Sequence, residues 1–323
     1  MKGKYSIGVE ISPTCNLRCP SCNVTRRLHV EKTERRNNPY LSDLIISYSP
    51  KEAKIIYIGL GEPTIPIIQK RIAKIHKTRK DLNGFIQTNG TYVLSKDILE
   101  LIRGRRLEIG LSIDAMHLEG GQNYIKIQPR YVESIATAVS GSSKEKIFDF
   151  GEIFPQLNRV LLAPLLTKDG KEIVPNWGDL ERMCVEYQKI LGENIRVYTE
   201  VPALFVEKTD NVFYREVLQK TAPTEDRTWR KSSEYGFYVN IQSPTNSNGS
   251  KFIRILSDGR VLSGLDLEKS IESWDVLDKY SKPIEEVFPK VFDLETVKIP
   301  KKLEISPGLD NLPSDMLVER RCL

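Results

Sequence analysis

The chain is poor in cysteine, in histidine and in long apolar runs. Among 323 residues it has five cysteines and three histidines. Structural zinc usually takes four ligands as two separated pairs, and so few residues make that hard to assemble. No apolar run approaches the ~20 residues that cross a bilayer, so no membrane partner is expected. The opening Met1-Lys-Gly-Lys-Tyr-Ser6 is basic but has no signal-peptide apolar core. Cys322 stands second from the end, which does not match a prenylation box. A reducing cytoplasm is the expected setting. Solenoid-type repeats are lacking, and no aromatic-rich RNA-binding motif accompanies the basic residues. What remains is a globular composition, 40% hydrophobic and 28% charged with net charge +5, large enough for one big domain or two smaller ones.

Three of the five cysteines lie within eight residues, Cys15, Cys19 and Cys22 in Ser12-Pro-Thr-Cys-Asn-Leu-Arg-Cys-Pro-Ser-Cys-Asn23. A fourth zinc ligand would have to come from Cys184, Cys322, His29, His76 or His117. A redox pair built on Cys19-Pro-Ser-Cys22 leaves Cys15 without a role. The spacing i, i+4, i+7 also suits one face of a helix. Pro13 and Pro20 argue against a continuous helix there. Three close thiolates hold three irons of a cubane iron–sulfur cluster and leave the fourth iron open to a small molecule. The cluster therefore points to catalysis at a metal centre.

With this motif the chain resembles the radical S-adenosylmethionine (radical SAM) superfamily, whose hallmark is this CxxxCxxC spacing after the first barrel strand. The resemblance implies a 4Fe–4S cluster on Cys15, Cys19 and Cys22, with S-adenosylmethionine (SAM) chelated at the open iron. It implies reductive cleavage of SAM to a 5′-deoxyadenosyl radical that abstracts hydrogen from a substrate. An electron donor such as flavodoxin or ferredoxin follows from the same implication. The residue before the last cysteine, commonly aromatic in the family, is Ser21 here.

Further motifs support the resemblance. Ile55-Ile-Tyr-Ile-Gly-Leu-Gly-Glu-Pro-Thr64 reads as an apolar strand running into a glycine turn, where backbone can approach a ligand closely. It resembles the family segment that binds the amino group of SAM, which makes Gly59, Gly61 and Glu62 candidate contacts. Phe85-Ile-Gln-Thr-Asn-Gly90 ends in a plain turn signal, and the family likeness makes Asn89 a candidate facing SAM. Leu107-Glu-Ile-Gly-Leu-Ser-Ile-Asp114 alternates as a strand does. Ser112 and Asp114 at its end are candidates for the SAM carboxylate or ribose, although Asp114 would equally suit a helix cap.

Strands are expected near Tyr5, Lys54, Gly84, Leu107, Leu157 and Ile195, with helices over 67–79 and 177–191. Such alternation argues for an α/β fold with a parallel sheet, whose cofactors sit at the C-terminal strand ends. The fold class expected is a partial (β/α)6 TIM-like barrel over residues 1–210 with a small α+β extension over 211–323. Residues 114–157 read as a crossover helix enlarged by loops. Asp258-Gly259 is a hairpin-turn signal, and Lys282-Pro-Ile-Glu-Glu-Val-Phe288 reads as a short helix. This tail resembles a degenerate SPASM/twitch-like extension covering the barrel opening. It carries no cysteine before Cys322, so an auxiliary cluster is not expected.

Cys184 reads as a small core residue of the 177–191 helix, and Cys322 as a candidate hydrogen-atom donor. Basic residues crowd at Arg26, Arg27, Lys32, Arg35 and Arg36, and again at Lys70, Lys74 and Lys77 on one helix face. A solvated helix surface is the ordinary meaning of the second group, and attraction of an acidic peptide or nucleic acid the functional one. The tail resemblance favours a peptide substrate. RNA, a nucleoside or a small metabolite is the alternative. A non-catalytic metal-binding interaction protein is the reading of another class.

Overall fold

The computed structural model describes residues 6–12, 14–17, 38–57, 61–112, 131–136, 152, 154–164, 167–168, 171–172, 177–201, 212–224, 229–241, 253–263 and 282–292. The chain forms two compact units. The first comprises residues 1–87, 92–108 and 250–323, and the second residues 88–91 and 109–249.

Among the described residues, the first unit opens with three strands and three helices in alternation: β1 (Ser6–Val9), α1 (Leu41–Tyr48), β2 (Lys54–Tyr57), α2 (Pro66–Thr78), β3 (Asn83–Thr88) and α3 (Lys96–Arg103). β1 and β2 are parallel with Ile7 opposite Ile55, and β2 and β3 are parallel with Ile56 opposite Phe85. Burial alternates along β2 and β3, the period-2 pattern of a strand. α2 starts on Pro66, whose missing N–H costs nothing in a first turn, and buries Ile68, Ile72 and Ile75 along one stripe. Ser95 caps α3 by accepting the Ile98 amide at 3.4 Å.

Gly84 is needed for packing. A Cβ there would stand 2.3 Å from Leu107 Cδ2 and 2.7 Å from His76 Nε2. His76 is fully buried. Its Nδ1 faces the Leu82 carbonyl at 3.3 Å and its Nε2 the Tyr57 hydroxyl at 3.0 Å. Burial above all, with the Arg106 charge adding to it and the Leu82 bond opposing it, lowers the His76 pKa to about 4. The ring is thus neutral at pH 7, and the tautomer that donates from Nδ1 satisfies both partners.

β4 (Leu107–Ser112) begins in the first unit and continues in the second. There follow β5 (Tyr131–Ala136), β6 (Arg159–Pro164), β7 (Thr167–Lys168), β8 (Lys171–Glu172), α4 (Trp177–Leu191), β9 (Arg196–Val201), α5 (Val212–Lys220), β10 (Thr221–Pro223), β11 (Arg230–Ser232) and β12 (Tyr238–Ile241). In this unit β4, β5, β6, β9 and β12 run parallel in that order, and β11 and β10 extend the edge antiparallel. α4 matches the expected range and buries Trp177, Leu180, Met183, Cys184, Tyr187 and Leu191. Burial raises the Cys184 thiol pKa far above its ordinary value, as suits a core residue and not a nucleophile.

The first unit resumes with β13 (Ile253–Ile255), β14 (Arg260–Ser263), β15 (Lys282–Pro283) and α6 (Ile284–Phe292). β13 is parallel to β1, with Ile7 opposite Ile253, while β14 and β15 add antiparallel. The expected Asp258-Gly259 turn joins β13 to β14. Gly259 takes φ +86°, a left-handed value natural to glycine, and the Leu256 amide donates to the Arg260 carbonyl at 2.8 Å.

The architecture is mixed α/β, as expected. Two expectations need correction. Residues 114–157 contain strand β5, not just a loop-enlarged crossover helix. Tyr-Val-Glu-Ser-Ile-Ala is too short for periodicity to separate strand from helix. The C-terminal third is also shared between the units: residues 211–249 belong to the second and 250–323 to the first. β12 and β13, adjacent in sequence, do not pair with each other. β12 instead lies parallel to β9, and β13 parallel to β1 from the start of the chain.

Candidate functional site

β1, β2 and β3 are parallel neighbours, so their C-terminal ends share one edge of the first unit. Cys15 follows β1 there, and Gly61 and Glu62 follow β2. The two loops are in contact. The Glu62 amide donates to the Thr14 carbonyl at 2.8 Å, next to Cys15. Ser12 folds the approach: its hydroxyl donates to the Thr14 carbonyl at 2.8 Å and accepts the Thr14 amide at 3.3 Å. This local turn is one that serine forms readily.

Gly61 is where the loops press closest. A Cβ there would lie 2.1 Å from the Thr14 carbonyl oxygen, 2.5 Å from that of Ser12 and 2.7 Å from Ser12 Oγ. Two of those atoms are backbone, so no rotamer change relieves the clash. The glycine of the expected turn is thus explained by the cysteine loop packed upon it.

Glu62 is buried at 2% exposure. Its Oε1 accepts the Thr64 amide at 2.8 Å and the Thr64 hydroxyl. The turn is braced from α2 by Gln69, itself 1% exposed. Gln69 Nε2 donates to the carbonyls of Thr64 at 2.5 Å and Val93 at 2.9 Å, and Oε1 accepts the Ser95 amide at 2.6 Å. One side chain thereby ties the Glu62 turn to the segment before α3. Tyr92 lies on that segment. Its pKa is raised, by burial first, with Glu62 and Cys15 adding to the effect. Tyr92, Gln69, Ser12 and Thr64 have no signature in the sequence. Their roles depend on partners brought close only by the fold.

Cys15 is half-buried, its sulfur a thiol. The Leu17 amide points at its Sγ at 3.5 Å. An N–H directed at a cysteine sulfur is the kind of bond that tunes the potential of a cluster held there. The donor type and the close glycine turn fit one corner of an iron–sulfur site with a ligand beside it.

Asn89 and Ser112 belong to the second unit. Asn89 follows β3 directly, and its Oδ1 accepts the Thr91 amide at 3.0 Å and the Thr91 hydroxyl at 2.7 Å. Ser112 is the last residue of β4. Cys19, Cys22, Gly59, Asp114 and Cys322 lie outside the described residues. So does the basic group at residues 26–36. On α2, Lys74 pairs with Asp43 at 2.7 Å and Lys77 with Asp97 at 2.8 Å, as a solvated helix face would.

No protein-family model matches the chain, and no curated protein matches its sequence. Solved structures do match. anSMEcpe with bound AdoMet aligns at TM-score 0.54 and 14% identity, over 89% of this chain and 79% of that one. The same enzyme with AdoMet and the Cp18Cys peptide aligns at TM-score 0.51 and 13% identity, over 90% and 80%. Streptococcus suis SuiB bound to its precursor peptide SuiA aligns at TM-score 0.53 and 17% identity, over 87% of this chain and 66% of SuiB. These are radical SAM enzymes. The chain has their fold.

Proposed function

We propose that the protein is a radical SAM enzyme. The observation that carries this is the packing of the Cys15 loop on the Gly61–Glu62 turn, joined by the 2.8 Å bond from the Glu62 amide to the Thr14 carbonyl. On this reading Cys15, Cys19 and Cys22 ligate a 4Fe–4S cluster. Gly59, Gly61 and Glu62 meet the amino end of SAM, and Asn89, Ser112 and Asp114 supply further SAM contacts. When bound, the cluster and SAM together supply a 5′-deoxyadenosyl radical able to take hydrogen from a substrate. The protein's part is positional. Gly61 leaves room for close approach, Glu62 is locked by Thr64, and Gln69 fixes the turn that carries Glu62.

A peptide is the substrate class we favour. Two of the proteins with this fold have structures with peptides bound, anSMEcpe with Cp18Cys and SuiB with SuiA. The paired lysines of α2 offer little to a nucleic acid. Metal analysis separates this reading from a structural metal site. Anaerobic reconstitution is expected to give about four irons and four sulfides per chain. A single zinc would overturn the proposal.

A further inference from the structure

The hairpin β13–β14 carries no cysteine, yet it grips both ends of the segment that holds all three clustered ones. Before the cysteines, the Glu10 amide donates to the Ile255 carbonyl at 2.8 Å. The Glu10 carboxylate pairs with Arg254 Nη2 at 2.8 Å, with side-chain exposures of 0% and 16%. Gly8 stands opposite Arg254 in the strand register. It shares a strand face with Glu10, so no side chain at that position blocks the guanidinium. After the cysteines, the Asn38 amide donates to the Ser257 carbonyl at 2.9 Å, and Asn38 Nδ2 donates to the Asp258 carbonyl at 3.3 Å. Gly259 packs against that side chain, a Cβ there lying 2.9 Å from Asn38 Nδ2.

We infer that this hairpin is a clamp for the cysteine loop, with Glu10, Arg254 and Asn38 as positioning residues for the cluster. The inference rests on the proposed role of Cys15, Cys19 and Cys22. The 27 residues between Glu10 and Asn38 include all three clustered cysteines, and holding both ends of such a stretch reduces the entropy to be lost when iron binds. The buried pair suits this use. A carboxylate taken out of water needs its counter-ion in place, so the loop end at Glu10 is held in one register with Arg254. From there Ser12 and Thr14 carry the path to Cys15 and the Glu62 turn.

The test compares reconstituted wild type with Asn38→Ala, Arg254→Met and the neutral double variant Glu10→Gln/Arg254→Met. The readouts are iron content, the rate of iron loss to a chelator, and the EPR spectrum of the reduced cluster. Far-UV circular dichroism confirms folding, and the double variant guards against loss of fold from a change in buried net charge. Lys77→Ala, on the exposed face of α2, is the control. The clamp predicts that Asn38→Ala and Arg254→Met release iron about tenfold faster than wild type, with altered EPR signals, while Lys77→Ala does not. Folded Asn38→Ala and double variants with wild-type iron loss and EPR would overturn the clamp alone. Wild type that assembles no iron–sulfur cluster would overturn the underlying reading, and the clamp with it.

Discussion

At Gly61 one added methyl group would have to push apart two loops that the site requires together. A Cβ at that position would lie 2.1 Å from the Thr14 carbonyl oxygen, far inside contact distance. Gly61→Ala is expected to cost about 1–3 kcal/mol of stability, the usual penalty of overpacking. It should also abolish SAM binding in equilibrium dialysis, because the Glu62 turn and the cysteine loop can no longer share their hydrogen bond. His76 gives a second residue-scale prediction, about pH. Its pKa is lowered in the fold from 6.5 to about 4, so the unfolded chain binds this proton more readily. The associated stability is complete above pH 6.5 and is lost as pH falls from 6.5 towards 4, amounting to about 3 kcal/mol. Urea unfolding across that range should show the loss, and His76→Gln should flatten it. An unchanged slope in the variant would assign the loss to other groups.

Gln69 makes the corresponding point for the elements. It stands on α2 but serves the loops after β2 and β3 through three hydrogen bonds to backbone. Gln69→Leu keeps the volume and strands those groups, so a loss of about 1–3 kcal/mol is expected in chemical denaturation. SAM affinity should fall as well, since the Glu62 turn loses its brace. Helix α4 and the Asp258-Gly259 hairpin were readable from sequence because each carries its own signal, an apolar stripe in one and a turn dipeptide in the other. The placing of β1 to β4 was readable for the same reason. Strand β5 was not, since six residues of mixed polarity have no decisive period. Nor was the pairing of β13 with β1, because nothing in Ile-Arg-Ile names a partner some 250 residues away.

For the whole molecule, the sequence marks the residues proposed for the chemistry and leaves their support hidden. Cysteine spacing and the Gly61–Glu62 turn stand out in the chain because the proposed iron ligands and the close approach at Gly61 demand particular residue types. Tyr92, Gln69 and the Glu10–Arg254 pair do not stand out, because many residues could fill such roles in another fold. A fold shared with radical SAM enzymes at 13–17% identity fits this division, since the architecture is common to chains with little sequence in common. The central claim is radical cleavage of SAM, and one measurement tests it most directly. Anaerobically reconstituted protein, given SAM and a strong reductant, is assayed for 5′-deoxyadenosine by mass spectrometry beside the triple variant Cys15→Ala, Cys19→Ala, Cys22→Ala. The account predicts 5′-deoxyadenosine from the wild type and none from the variant; equal product from both, or none from a wild type carrying its cluster and a bound substrate, would contradict it.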